Sequence, residues 1–218
     1  FDQPLANDGQ ARRRAHGLEA DRPTGVVLFG GQGSRQMLQI AELLDGEQLI
    51  FMCGRNEALA EDLRAMRRKA PHAVFGFTDD VCNTLRLGDY FIGKPGPGCL
   101  SEAVHLGLPV ITFLNRSTMP QERYNAEWVQ ERGLGLVVPG LRQLPAAVQT
   151  LVQDLPGYWA ATRRLHNRAV HEVPQILADV LVTHGVLHAR PGLALAHPDV
   201  QREVQRLNAT GAGVTSPG

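Results

Sequence analysis

The sequence predicts a doubly wound α/β domain built on a parallel sheet, and three observations lead there. Short apolar runs recur along the chain with helical patterns between them, the rhythm of successive βαβ units. Those runs are almost continuously apolar instead of alternating, as strands covered by helices on both faces require. The first and the fourth run directly into glycine loops, Gly30-Gly31-Gln32-Gly33-Ser34 and Lys94-Pro95-Gly96-Pro97-Gly98, each followed by a helical pattern.

Residues 1–24 are polar and basic and end in an Asp21-Arg22-Pro23 turn, which reads as an N-terminal linker. Strands are then expected at Val26–Phe29, Gln48–Cys53, Ala73–Phe77, Asp89–Gly93, Pro109–Leu114 and Leu134–Val138. Helices are expected at Gln36–Leu44, Glu57–Lys69, Asp79–Leu87, Cys99–Leu106, Glu122–Arg132, Leu141–Leu151 and Tyr158–Val170. Asn56 can cap the second of these and Thr78-Asp79-Asp80 suits the start of the third. Gly88, Gly107 and Gly133 stand where a left-handed helix terminator is wanted. The domain so defined covers residues 25–172. Residues 173–218 read as an extension, with one more helix at 175–188 and a loosely packed, Pro- and Gly-containing tail from 190.

The 218 residues allow one large domain or a domain with an appendage. Twenty-two Lys and Arg balance 22 Asp and Glu, so the cationic excess of a nucleic-acid binder is absent. Three widely spaced cysteines fit neither a disulfide framework nor a zinc site and suggest a reducing, cytoplasmic compartment. No apolar stretch approaches the roughly 18 to 20 residues of a membrane span. The chain opens on Phe1 instead of Met and reads as the later part of a longer polypeptide.

The glycine loop after the first strand exposes backbone amides at the positive end of a helix, an anion site suited to phosphate. It lacks the Lys-Ser/Thr of a nucleoside-triphosphate loop and, with Gln36 in the third position, the last glycine of a dinucleotide fingerprint. Gly54-Arg55 stands where a nicotinamide enzyme would carry its ribose-binding acid. Glu102, four residues after Gly98, can accept hydrogen bonds from a vicinal diol such as a ribose. The run from Asn115 to Asn125 is rich in hydroxyls and amides on the same expected rim. It suits either a polyhydroxy sugar or plain solvent.

Taken in order, Gly30-Gly31-Gln32-Gly33-Ser34, Cys53-Gly54-Arg55-Asn56, Gly76-Phe77-Thr78, Lys94 to Ala103, Gly107-Leu108-Pro109 and Gln121-Glu122-Arg123-Tyr124-Asn125 resemble the C-terminal, donor-binding half of a GT-B glycosyltransferase. The likeness is to the family of monogalactosyldiacylglycerol synthase and the peptidoglycan lipid-intermediate N-acetylglucosaminyltransferase, and it covers about residues 24–170. The fold it implies is one Rossmann-like half of a GT-B enzyme with a helical C-terminal extension. By that resemblance Gly30, Gly31, Gln32, Gly33 and Ser34, with Lys94, Gly96, Gly98 and Cys99, would hold the diphosphate of a UDP-sugar. Phe77 would meet the uracil and Glu102 the ribose, while Gln121 and Glu122 would face the sugar.

The implied reaction is inverting transfer of a hexose or N-acetylhexosamine to a hydroxyl acceptor, lipid or lipid-linked in that family, at the inner face of a membrane. No metal cofactor is expected, and no Asp-x-Asp pair occurs in the sequence. The catalytic base is expected on an N-terminal acceptor domain, and none of the eight histidines matches its position. His184 and His188 are spaced as a metal pair without a third ligand. Two other readings share the two-domain plan or the fold: an enzyme of the UDP-N-acetylglucosamine 2-epimerase type, and a non-catalytic nucleotide-binding module. The first needs paired acid–base groups that the sequence does not display.

Overall fold

The computed structural model describes residues 9–165 and 168–183. They divide into two compact units, one ending at Leu165 and one that holds the last described helix. The last residues of the helix expected at 175–188, the tail expected from 190, and the His184/His188 pair lie outside the described residues.

The first unit is a single parallel sheet of β1 (Thr24–Leu28), β2 (Gln48–Met52), β3 (His72–Phe75), β4 (Tyr90–Ile92), β5 (Val110–Phe113) and β6 (Gly135–Val138). Its spatial order is β3-β2-β1-β4-β5-β6, with every neighbour parallel. All six expected strands are present. The direction of winding reverses between β1 and β4, so the loops leaving these two strands part to opposite sides and open a crevice at their carboxyl ends.

Helices α2 (Gln36–Leu43), α3 (Glu57–Ala65) and α7 (Leu144–Gln153) cover one face, where Met37, Ile40, Leu59, Leu63, Val148 and Leu151 meet the side chains of Val27, Phe51, Ile92 and Ile111. Helices α4 (Val81–Leu85), α5 (Pro97–His105) and α6 (Pro120–Glu131) cover the other, with Leu85, Leu100, Val104 and Val129 against Val26, Ile50, Phe91 and Val110. Consecutive strand residues therefore feed opposite cores, which is why these strands could not afford alternation. Helix α8 (Leu155–Arg163) adds Leu155 to the first core.

Several boundaries differ from the sequence expectation. Residues 1–24 are not simply a linker: they include α1 (Gly9–Ala15), and Arg13 reaches Asp89 at 2.8 Å and the Leu87 carbonyl at 2.7 Å. Helix α3 stops at Ala65 instead of Lys69 because Met66 turns extended, freeing Arg68 to donate to the carbonyls of Ala41 and Leu44 at the end of α2 and of Glu47 just before β2. Helices α5 and α6 begin two residues early, at Pro97 and Pro120, since proline is pre-organised for a first helical turn. Asn56 and Asp80 cap α3 and α4 as expected. Gly107 and Gly133 are left-handed, whereas Gly88 is not; its lack of a side chain instead lets Val26 and the Thr24 carbonyl approach.

The second unit contributes α9 (Ala169–Thr183), a helix that runs through Pro174. The expected domain boundary at 172/173 thus falls inside a helix. The proline sits in the second turn, past the first-turn positions where proline is free of cost, so it removes one backbone bond and crowds the carbonyl four residues before it. No helix among the described residues is long and apolar enough to cross a membrane.

Candidate functional site

The crevice is shaped in part by two loops, those after β1 and β2, that brace one another. The Arg55 amide donates to the Gly31 carbonyl at 2.9 Å, and the Asn56 side chain donates to the Gln32 carbonyl at 3.3 Å, so the loop after β2 supports the glycine loop after β1. This bracing requires Gly54: its φ is +59°, and a Cβ there would run into the Gly31 carbonyl. Within the β1 loop the Gly33 amide donates to the Gly30 carbonyl at 3.1 Å, closing a tight turn, while the sides of Gly30 and Gly31 face open space. Cys99, in the first turn of α5, lines the same cavity as Gly30 and Gly31, while Gln36, at the start of α2, lines the neighbouring one, and a helix N-terminus favours an anion.

Two cavities flank the glycine loop. One, of about 210 Å³, is lined by Gly30, Gly31, Gly54, Phe77, Cys99 and Glu102, with Leu28, Met52 and Val81 as apolar floor. Phe77 is 55% exposed, unusual for a large aromatic, and the Arg55 guanidinium lies 4.7 Å from its ring centre. Burial raises the Glu102 carboxyl above its ordinary range, and among the described residues no cation offsets it. Burial also pushes up the Cys99 thiol, the charge of Glu102 adds to that, and the Gly30 amide pulls the other way.

The second cavity, of about 430 Å³, is lined by Gly33, Ser34, Gln36, Lys94, Asn115, Thr118 and Glu122, with Phe29, Phe113, Met119 and Leu141 as its apolar part. Glu122 is only 8% exposed, and its Oε1 takes a hydrogen bond and ion pair from Lys94 Nζ at 3.1 Å. The rim is pinned at several points. Asn125 Nδ2 donates to the Pro95 carbonyl at 2.8 Å, Arg123 donates to the Asn115 carbonyl at 2.8 Å, and the Asn115 side chain donates to the Pro139 carbonyl at 3.0 Å.

The sequence-derived candidates sort themselves on this geometry. Gly30, Gly31, Phe77, Cys99 and Glu102 come together on the smaller cavity; Gly33, Ser34, Lys94 and Glu122 come together on the larger. Gly96 and Gly98 stand at the start of α5, and Gln32 is exposed on the loop between the cavities. Gln121 lines neither cavity; it is exposed, with its amide 3.8 Å from Met119 Sδ. Sequence reasoning missed Arg55 as the partner of Phe77 and the Phe29/Phe113 pair, whose rings lie 6.1 Å apart. Phe29 directly precedes the glycine loop and Phe113 ends β5, so their positions at strand ends were the available signal. Among the described residues no three His, Cys, Asp or Glu cluster as a metal site.

A six-stranded parallel sheet with its crevice at the β1/β4 reversal, glycine loops on both sides and two cavities at their mouth defines a Rossmann-like fold of the kind found in GT-B glycosyltransferases. Residues 26–165 match the glycosyltransferase family 28 C-terminal domain, and the chain belongs to that family. It is 28% identical over 191 residues to a processive diacylglycerol beta-glucosyltransferase of Bacillus pumilus, covering 81% of this chain and 49% of that protein. It is 33% identical over 146 residues to a probable chloroplastic monogalactosyldiacylglycerol synthase of Glycine max, covering 62% of this chain and 27% of that one. Among solved structures, MurG of Acinetobacter baumannii matches 71% of this chain and 48% of its own, at a TM-score of 0.55 and 15% identity. The spinosyn rhamnosyltransferase SpnG complexed with thymidine diphosphate matches 75% and 44%, at 0.51 and 15%. The chain spans at most about half the length of these relatives.

Proposed function

We propose that this chain is the donor-binding half of an inverting glycosyltransferase that takes a UDP-sugar and passes its hexose or N-acetylhexosamine to a hydroxyl acceptor, a lipid or lipid-linked one. The observation that carries the reading is the pair of cavities on either side of one glycine loop. The smaller offers an exposed ring, an apolar floor and a carboxylate, which suits a pyrimidine nucleoside with its ribose diol. The larger offers amides, hydroxyls and an ion pair, which suits a sugar. Gly30 and Gly31, with open sides, line the smaller cavity and Gly33 and Ser34 the larger, so a diphosphate joining the two would run along this loop.

In this reading the departing UDP gains negative charge in the transition state. Preorganised amides of the Gly30–Ser34 loop and of the start of α5, around Gly96, Gly98 and Cys99, stabilise that charge along with two helix dipoles. Such electrostatics supply what a metal would otherwise give. The base that deprotonates the acceptor belongs to an N-terminal domain outside this chain. Turnover then requires closure of the crevice against that partner, which aligns the acceptor and excludes water. The names of the relatives, glycosyltransferases of diacylglycerol, support a lipid acceptor class.

Calorimetric titration of UDP, UMP, ADP and NAD into the chain tests this reading. Saturable binding is expected to favour UDP. Glu102→Ala should weaken it about tenfold, the loss of roughly one charge-assisted hydrogen bond. Preference for ADP or NAD would overturn the proposal.

A further inference from the structure

Lys94 and Glu122 form a closely confined pair. Lys94 follows β4, and Glu122 sits in the first turn of α6, 28 residues later. Gly96 lies between them: a Cβ there would stand 3.3 Å from Lys94 Cε and 3.5 Å from Glu122 Oε1. The bond from Asn125 to the Pro95 carbonyl ties the two carrying segments together. Both residues line the larger cavity, Glu122 with an 11% exposed side chain and Lys94 with a 46% exposed one. Among the described residues nothing takes the second carboxylate oxygen, Oε2, and Lys94 spends one of its three N–H donors on Oε1.

We propose that Lys94 is a positioning residue for the sugar of the donor, holding Glu122 by one oxygen so that the pair meets a single sugar hydroxyl as acceptor and donor, and is not a counter-ion for the diphosphate. A hydroxyl is the one neutral group on a sugar that both gives and takes a hydrogen bond at the same atom. Oε2 accepts its proton, and a remaining Lys94 N–H donates to its lone pair. A carboxylate alone rotates and accepts from any donor within reach. Locked to Lys94, it reads where that hydroxyl stands, which is what separates one hexose from its epimer. The charge of Lys94 is already engaged by Glu122, which removes the reason to place it on phosphate.

This inference rests on the donor-binding reading, and one set of titrations separates the two. UDP, UDP-glucose, UDP-galactose and UDP-N-acetylglucosamine are titrated into the unsubstituted chain, Lys94→Met, Lys94→Arg, Glu122→Gln and the Lys94→Met/Glu122→Gln double variant, each checked for an intact thermal transition. For the preferred sugar nucleotide, the affinity relative to UDP is expected to fall about tenfold in Lys94→Met and in Glu122→Gln. The double variant should fall no further than either single one, because the two residues act as a unit. Lys94→Arg, which keeps a cation on Glu122, should retain most of the ratio. Equal weakening of UDP and of every UDP-sugar in Lys94→Met would make Lys94 a diphosphate counter-ion and overturn the inference. Additive losses in the double variant would also overturn it. Absence of UDP binding to the unsubstituted chain would instead sink the donor-binding reading, and this inference with it.

Discussion

A half-buried carboxylate without a cation costs a protein stability, and Glu102 is held in that state. Its carboxyl is raised above the ordinary value near 4.5, so folding favours the protonated form. The stabilising influence is therefore complete below the ordinary value and is lost as pH rises through the raised one. Glu102→Gln should accordingly raise Tm at pH 7, leave it unchanged at pH 4, and weaken UDP binding; a thermal melt series against pH with parallel titrations reads all three. A Tm that fell equally at both pH values would mean that Glu102 supports the fold and not a ligand. Gly54 makes the complementary case. Gly54→Ala must place a side chain in left-handed backbone, about 1–2 kcal/mol by itself, and press on the Gly31 carbonyl as well. Chemical denaturation should show at least that loss. At this scale the sequence displayed those residues whose role depends on the local chain, such as glycines in turns and a carboxylate one helical turn past a loop. It hid roles made by contact between distant segments. Arg55 over Phe77 joins residues 22 apart, and Lys94 with Glu122 joins residues 28 apart, and no spacing rule reports such a meeting.

Among the elements, strands were legible because burial on both faces writes itself into every residue, as in Val26–Leu28 or Leu49–Met52. Helix ends were less so. The basic run Arg67-Arg68-Lys69 looks like the end of α3, yet Arg68 serves α2, and only the packing of α2 beside α3 brings its carbonyls within reach. Helix α1 was invisible for a similar reason: seven residues with no buried side chain carry no periodic signal, and its attachment is polar. Arg13 anchors it to Asp89, whose other oxygen accepts from the Thr24 amide, at the amino ends of β1 and β4. Both side chains of this pair are largely buried, so truncating one leaves an uncompensated charge. Arg13→Ala should cost about 3 kcal/mol in denaturant unfolding. The crevice lies at the opposite ends of the same strands, so UDP affinity should stay within about twofold. A parallel loss of affinity would show that the two ends of the sheet are coupled.

For the first unit as a whole, the crevice lies where the two halves of the sheet, β3-β2-β1 and β4-β5-β6, meet along the β1/β4 ladder of three paired residues. The cavities draw on both halves. Gly30, Gly54 and Phe77 belong to loops of the first, and Cys99, Glu102 and Glu122 to helices of the second. A nucleoside diphosphate seated there would bridge the two halves, so binding and unfolding should be linked. At a concentration one hundred times Kd, a ligand specific for the folded state adds about 2.7 kcal/mol, which for a domain of this size corresponds to roughly 5–10 °C in Tm. Differential scanning fluorimetry with UDP should give that shift, and at the same concentration UMP should give a smaller one because it leaves one phosphate position on the Gly30–Ser34 loop unfilled. Equal shifts from UMP and UDP would mean that the loop contributes nothing beyond the first phosphate. The anion site would then have to be sought away from the β1/β4 junction.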